Sequence, residues 1–124
     1  MVPARRPVCI DRDASVVAAS RLMRAQDVDE LVVTEPLEGR RVPAGVISAR
    51  DVVNRVVAHD LDPAVVTVGD ILWYRPEPAH VGDSVPETLQ RLCASGTEKL
   101  PVVDRNGLAG VVSMDDLLRA LAES

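Results

Sequence analysis

Two strings in this 124-residue chain pair a hydroxyl with a carboxylate three positions on. They are Gly45-Val46-Ile47-Ser48-Ala49-Arg50-Asp51 and Gly110-Val111-Val112-Ser113-Met114-Asp115-Asp116. In each, an apolar run reads as a strand that stops at the serine, where a helix begins. Ser-x-x-Asp at that place serves the helix itself, because the hydroxyl and the acid satisfy backbone amides that have no partner in the first turn. The same helix end offers free amides and a positive dipole end, which suit an anionic ligand. One copy would be weak evidence for more than a cap. Two copies, each behind Gly and two apolar residues, point to a repeated site.

Other chemistry-bearing residues are sparse. Cys9 and Cys93 form no C-x-x-C pair and sit in apolar stretches, so they read as small buried hydrophobes, with a disulfide or a redox role as the alternative. His59 and His80 are lone histidines and read as surface or packed side chains. Trp73 and Tyr74 are adjacent; Trp73 reads as packed within the module, with stacking on a base or a dimer contact as the alternative. The chain has no Gly-rich phosphate loop with Lys, no H-E-x-x-H and no nucleophile elbow. We therefore expect no enzymatic activity.

Composition narrows the class. The length fits one domain of the usual ~100–150 residues. Hydrophobic residues make up 47% and charged residues 27%, as in a globular chain, and aromatics only 2%, so Val, Leu, Ile and Ala must build the core. The net charge of −5 argues against nucleic acid, and Arg5-Arg6 and Arg40-Arg41 read as solvated charge. No apolar run approaches the ~18 residues of a membrane span, and no apolar stretch follows Arg5-Arg6 as in a secretory signal. The expectation is a cytoplasmic protein without membrane or nucleic-acid partners.

The elements that must position the two strings also repeat. At an offset of 69, Arg6-Pro7 falls on Arg75-Pro76, Ser15-Val16 on Ser84-Val85, and Leu31-Val32-Val33 on Leu100-Pro101-Val102. At an offset of 65, Gly45–Ser48 falls on Gly110–Ser113 and Asp51 on Asp116. The change of offset puts four extra residues in Glu35–Ala44, which reads as a longer loop. Each repeat reads β-α-β-β-α. The strands are expected at Val8–Ile10, Glu30–Thr34 and Val42–Ile47, then near Pro78–His80, at Leu100–Val103 and at Leu108–Val112. Val16, Ala19, Ser20 and Met23 predict the buried face of the first helix; Val85, Leu89, Leu92 and Cys93 predict its counterpart. Closing helices are expected at Ala49–His59 and Met114–Ala122. Asn106-Gly107 signals a hairpin, Ser84-x-x-Glu87 a helix cap, and Thr67-x-x-Asp70 a short capped turn. Residues 1–60 form the first repeat, 61–76 the connector and 77–124 the second. Roughly 60 residues bury a marginal core, so the pair is the folding unit.

The order of elements, Leu100-Pro101-Val102-Val103-Asp104, both Gly-h-h-Ser-x-x-Asp strings and Asp70-Ile71-Leu72 before the second repeat together resemble the CBS domain family over nearly the whole chain. The chain is similar to the small stand-alone CBS-pair proteins of actinobacteria. That resemblance implies an α/β (α+β) fold: two CBS repeats packed sheet to sheet around a pseudo-two-fold axis, often called a Bateman module. It implies clefts between the repeats for adenosine-containing ligands such as AMP, ADP, ATP or S-adenosylmethionine. Asp51 and Asp116 would bond the ribose hydroxyls, and Ser48 and Ser113 would approach ribose or phosphate. Ile10 and Ala79, with Asp11 and His80, would lie where the first strand of each repeat meets a cleft and sandwiches the base. The family often places a basic residue before Leu-Pro-Val to reach phosphate. Lys99 stands there in the second repeat but Glu30 in the first, while Arg50 and Asp115 flank the two motif aspartates. Each site would thus pair one base with one acid. That predicts weak phosphate affinity, favouring monophosphate or non-phosphate ligands, with surface charge as the alternative role of these four residues.

The resemblance further implies a homodimer built through the helices and a regulated protein that is a separate chain. No cofactor is required. Two other readings compete with an adenosyl-ligand sensor: a ligand-free dimeric interaction scaffold, and regulation by metal or redox state through Asp115-Asp116 or the cysteines.

Overall fold

The computed structural model describes residues 2–72 and 75–123; Trp73 and Tyr74 lie outside the described residues. The first repeat runs β1 (Cys9–Asp11), α1 (Val16–Gln26), β2 (Glu30–Leu37), β3 (Arg40–Ser48) and α2 (Ala49–Arg55). After a connector carrying α3 (Val68–Ile71), the second runs β4 (Ala79–His80), α4 (Val85–Ser95), β5 (Lys99–Asp104), β6 (Gly107–Ser113) and α5 (Met114–Ala122). Helices α1 and α4 keep the offset of 69 at both ends, and α2 and α5 begin 65 apart.

Each repeat builds a three-stranded sheet, ordered β1-β2-β3 and β4-β5-β6. The first two strands are parallel and the hairpin strands antiparallel. Both hairpins carry a register shift at equivalent places, Val33/Thr34 and Val102/Val103. The sheets pack on each other through β3, which touches β5 and β6. Both faces of the central strands are therefore covered, which explains continuous apolar runs where a half-exposed strand would alternate. Leu31, Val33 and Ile47 join α1 in one core, and Leu100, Val102 and Val112 join Leu92 and Leu117 in the other. Val32, Val46 and Val111 alternate with these and are also buried.

The halves exchange segments. Val68 and Ile71 of α3 pack in the first core, whereas Val2 packs in the second. The Arg5 and Val111 backbones pair, with N···O distances of 2.8 and 2.9 Å, so the N-terminal segment runs along β6 of the other repeat.

Several expectations are corrected. The four extra residues do not form a longer loop. They lengthen β2 and β3 around a two-residue turn, Glu38-Gly39, whose φ values of 51° and 78° are those of a type I′ turn. Arg41 fastens the extension by bonding Asp11 at 2.5 Å and Thr34 at 2.8 Å. In the second hairpin the positive φ falls on Gly107 alone, at 111°. The closing helix of the first repeat stops at Arg55 and passes into a 3-10 turn, Val57–His59, ended by left-handed Asp60. On α4, Leu92 is buried and Val85 and Leu89 pack against the core as expected, but Thr88 and Ser95 are buried with them and Cys93 is exposed. Polar Thr88 and Ser95 go inside because their hydroxyls donate to the helix's own carbonyls, of Ser84 and Leu92. Both cysteines are free thiols. Burial pushes the Cys9 thiol up against the opposing pull of Arg41, so it carries less thiolate than an exposed cysteine.

Candidate functional site

Ser48 and Ser113 occupy the N-cap positions of α2 and α5, and both Ser-x-x-Asp strings are closed capping boxes. The Ser113 hydroxyl accepts from the Asp116 amide at 3.2 Å, and Asp116 Oδ2 accepts from the Ser113 amide at 3.2 Å. The Ser48–Asp51 pair does the same at 3.1 and 2.9 Å. The helical function of the motif is thus fully realised, which leaves the remaining carboxylate oxygen of each aspartate for other work.

Antiparallel pairing places Glu30 beside Ser48 and Lys99 beside Ser113. These residues meet where the sheets pack, and two clefts open there. The first, about 370 Å³, lies beside α5 and is lined by Ser113, Asp115 and Asp116 of the second repeat and by Val8, Val28, Glu30 and Val32 of the first. Its volume falls within the ~300–1,000 Å³ typical of small-molecule sites. Arg5, Arg6, Lys99 and Arg119 also line it, so four cations face three carboxylates. The second cleft, about 270 Å³, is lined by Ser48, Arg50, Asp51, Glu30 and Val46 and, from the other repeat, Ser95, Gly96 and Thr97. It adjoins a more open groove that shares Glu30, Ser48, Arg50 and Gly96.

Asp116 is only 7% exposed. Its Oδ1 accepts from Arg5 Nε at 2.7 Å. Burial pushes the Asp116 carboxyl up, but the Arg5 bond and those from Ser113 outweigh it and hold the group below the usual carboxylate range. Asp51 Oδ1 lies 3.9 Å from Arg55 Nε. Glu30 is 7% exposed and lines both clefts. One of its oxygens accepts from the Glu98 amide at 3.1 Å; the other, Oε1, has no hydrogen-bond partner among the described residues. Burial pushes the Glu30 carboxyl above its ordinary value.

The structure brings together six of the expected residues: Ser113, Asp116 and Lys99 at one cleft, and Ser48, Asp51 and Arg50 at the other. It does not bring in the other four. Ala79 is fully buried in the second core, Ile10 packs against the first, Asp11 pairs with Arg41, and His80 is exposed. The reason lies in strand direction. Each cleft sits at the end of β3 or β6, hence at the beginning of β2 or β5. The parallel β1 aligns Ile10 with Val33 and Asp11 with Thr34, already leading away at ~3.3 Å per residue. Val8, just before β1, whose carbonyl accepts from Val32, is the residue of this segment that reaches the cleft.

Sequence reasoning missed Arg5, Arg6 and Arg119. The Arg5-Arg6 pair is not merely solvated charge, because backbone pairing with β6 sets Arg5 over Asp116. The repeat itself carried a signal, since Arg6-Pro7 recurs as Arg75-Pro76. Among the described residues, no three His, Cys, Asp or Glu side chains converge as a metal site, and no helix is long and apolar enough to cross a membrane.

Comparison with known proteins agrees with this geometry. The family model "CBS domain" matches twice, over residues 1–58 and 68–123. An uncharacterized protein of Methanopyrus kandleri is 31% identical over 98 residues, covering 78% of this chain and 48% of that protein. Hypoxic response protein 1 of Mycobacterium tuberculosis is 25% identical, covering 93% of this chain and 78% of that one. The chain spans between about half and two-thirds of several of its curated relatives. Among solved structures, a CBS domain protein of Pyrobaculum aerophilum complexed with AMP superposes with a TM-score of 0.78 at 26% identity, covering 97% of this chain and 94% of that one. Hypoxic Response Protein I with two coordinated zinc ions gives 0.77 at 26%, covering 90% and 88%. With two matched repeats, two equivalent sheets and paired clefts at the repeated motif, the chain belongs to the CBS domain family and carries the domain twice.

Proposed function

We propose that this CBS pair is a regulatory module that binds an adenosine-containing ligand in the cleft beside α5 and acts on a separate partner protein. The observation that carries the reading is the chemistry gathered there. A capped nine-residue helix presents its N-terminus to a cleft that also holds Asp116, Lys99, Arg5, Arg6 and Arg119, with Val8, Val28 and Val32 as apolar walls. A carboxylate accepts from both hydroxyls of a ribose, and the cations and the helix end favour a phosphate. Four cations at this cleft make it more receptive to phosphate than Lys99 and Asp115 alone imply, so an AMP-like ligand fits. The AMP complex of the Pyrobaculum relative supports the choice. Binding across two repeats favours the packing that the ligand fits best, and thereby biases a partner.

Calorimetric titration with AMP tests the reading. It predicts saturable binding that Asp116→Ala weakens at least tenfold. No heat from AMP, ADP, ATP or S-adenosylmethionine at millimolar concentration overturns it.

One observation favours the scaffold reading instead. Both Asp116 oxygens already have protein partners, Arg5 and the Ser113 amide, so a ligand must share or displace Arg5. If the module is a scaffold, Asp116→Ala leaves partner regulation intact.

A further inference from the structure

We propose that the second cleft, beside Asp51, selects a ligand that brings an ammonium group to the Glu30 carboxylate, a class different from the phosphate-bearing ligand of the cleft beside α5. This rests on the adenosyl reading for the contact between Asp51 and a ribose, and adds the class of the ligand's other end.

Glu30 carries the argument. It is more than nine-tenths buried, it walls the cleft, and Oε1 has no partner among the described residues. A buried acceptor without a donor is costly, and an ionised one more so, so an arriving donor gains more here than at an exposed carboxylate. Lys99 at the start of β5 and Glu98 just before it act on its charge, and the side chains of Arg50 and Asp51 share its cleft. None of them bonds Oε1.

The rest of the lining agrees. Arg50 is the one cation among the described lining residues, against Glu30 and Asp51. The Ser95 hydroxyl donates to the Leu92 carbonyl at 2.7 Å, and the Thr97 hydroxyl to the Lys99 carbonyl at 2.9 Å. Both donors are spent inside the protein, so these oxygens can offer the cleft only lone pairs. Two carboxylates face the Arg50 guanidinium in this lining, with Arg55 3.9 Å from Asp51, so preference for an ammonium rests on the unpartnered Glu30 oxygen, which an N–H donor satisfies and a phosphate oxygen repels. The cleft beside α5, with four cations, has the opposite balance.

The experiment uses the full chain carrying Asp116→Asn, which keeps a capping oxygen but weakens the first cleft. Adenosine, AMP and 5′-amino-5′-deoxyadenosine are titrated by calorimetry, with and without Glu30→Gln. The amine is expected to bind more tightly than adenosine, and AMP binding that depends on Asp51 is expected to be the weakest. Glu30→Gln is expected to cut the amine-to-adenosine affinity ratio about tenfold, the size of a lost charge-assisted hydrogen bond. Adding Asp51→Ala should abolish amine binding. Adenosine affinity in the Gln variant reports that the cleft still folds. An unchanged ratio with adenosine still bound, or amine binding that survives Asp51→Ala, overturns this proposal alone. If none of the three compounds binds, the adenosyl reading of this cleft falls and the proposal with it.

Discussion

Replacing Glu30 by Gln should stabilise the ligand-free protein, and only above acidic pH. The substitution keeps an oxygen to accept from the Glu98 amide, the bond that holds at 3.1 Å, and removes the charge from the buried site. The Gln NH2 at the Oε1 position would also lack a partner, but a buried unpartnered group costs about 1–3 kcal/mol when neutral and more when charged, so removing the charge alone is expected to relieve about 1–2 kcal/mol at pH 8. For a chain of 124 residues, the unfolding entropy converts each kcal/mol to about 4 °C, giving a rise of roughly 4–8 °C in Tm. Burial raises the carboxyl's pKa above its ordinary 4.5. A group raised in this way contributes its stability below the unfolded value and loses it as pH rises through the folded value. Wild type and variant should therefore melt together below about pH 4.5 and diverge above it. Protonation of the other carboxylates affects both proteins and cancels in the difference. Thermal melts between pH 4 and 8 make the measurement. A Tm difference independent of pH, or a less stable variant at pH 8, refutes the claim that Glu30 is held as a strained buried acid. If it holds, the residue trades stability for selectivity, as binding groups commonly do.

Three further outcomes are expected. Ser113→Ala removes the acceptor for the Asp116 amide and should cost about 1 kcal/mol, read as a lower urea midpoint. Gly110→Ala should loosen the N-terminal segment, because a Cβ there would sit 2.6 Å from the Arg5 carbonyl oxygen and 2.9 Å from Ala4 Cβ; faster tryptic cleavage after Arg5 than in wild type checks it. Asp116 is held below its ordinary range, so its stabilisation exists above that range and is lost as pH falls through the folded value. Arg5→Met should therefore move the acid limb of the urea midpoint against pH to higher pH, and an unmoved limb refutes the role of Arg5.

The pair of offsets read from the chain alone, 69 and 65, reproduces the ends of α1 and α4 and the starts of α2 and α5. That success has a local cause. Helix caps, apolar period and the strand-to-helix change at Ser48 and Ser113 depend on neighbours within four residues, and neighbours in sequence are visible. The same locality explains the failures. The stretch 35–44, which holds the four extra residues, looked like loop because Pro, Gly and charge say so, whereas Arg41 reaching Asp11 and Thr34 makes strand of it. Cys93 looked like core because it is apolar, but the turn of α4 against its sheet chose Thr88 and Ser95.

What the sequence determined by itself was the repeated unit, its element order and the two Ser-x-x-Asp helix starts. The tertiary structure alone decided which side chains share a cleft. It carried Arg5 to the opposite repeat through pairing with Val111, sent Ala79 into one core and Ile10 against the other, and left Glu30 between two clefts with one oxygen unanswered. The reason is physical. A cap is satisfied by atoms a few bonds away, but a cleft is formed by surfaces that meet only when two sheets pack, and strand direction and register, which no short window of sequence contains, determine which residues face it.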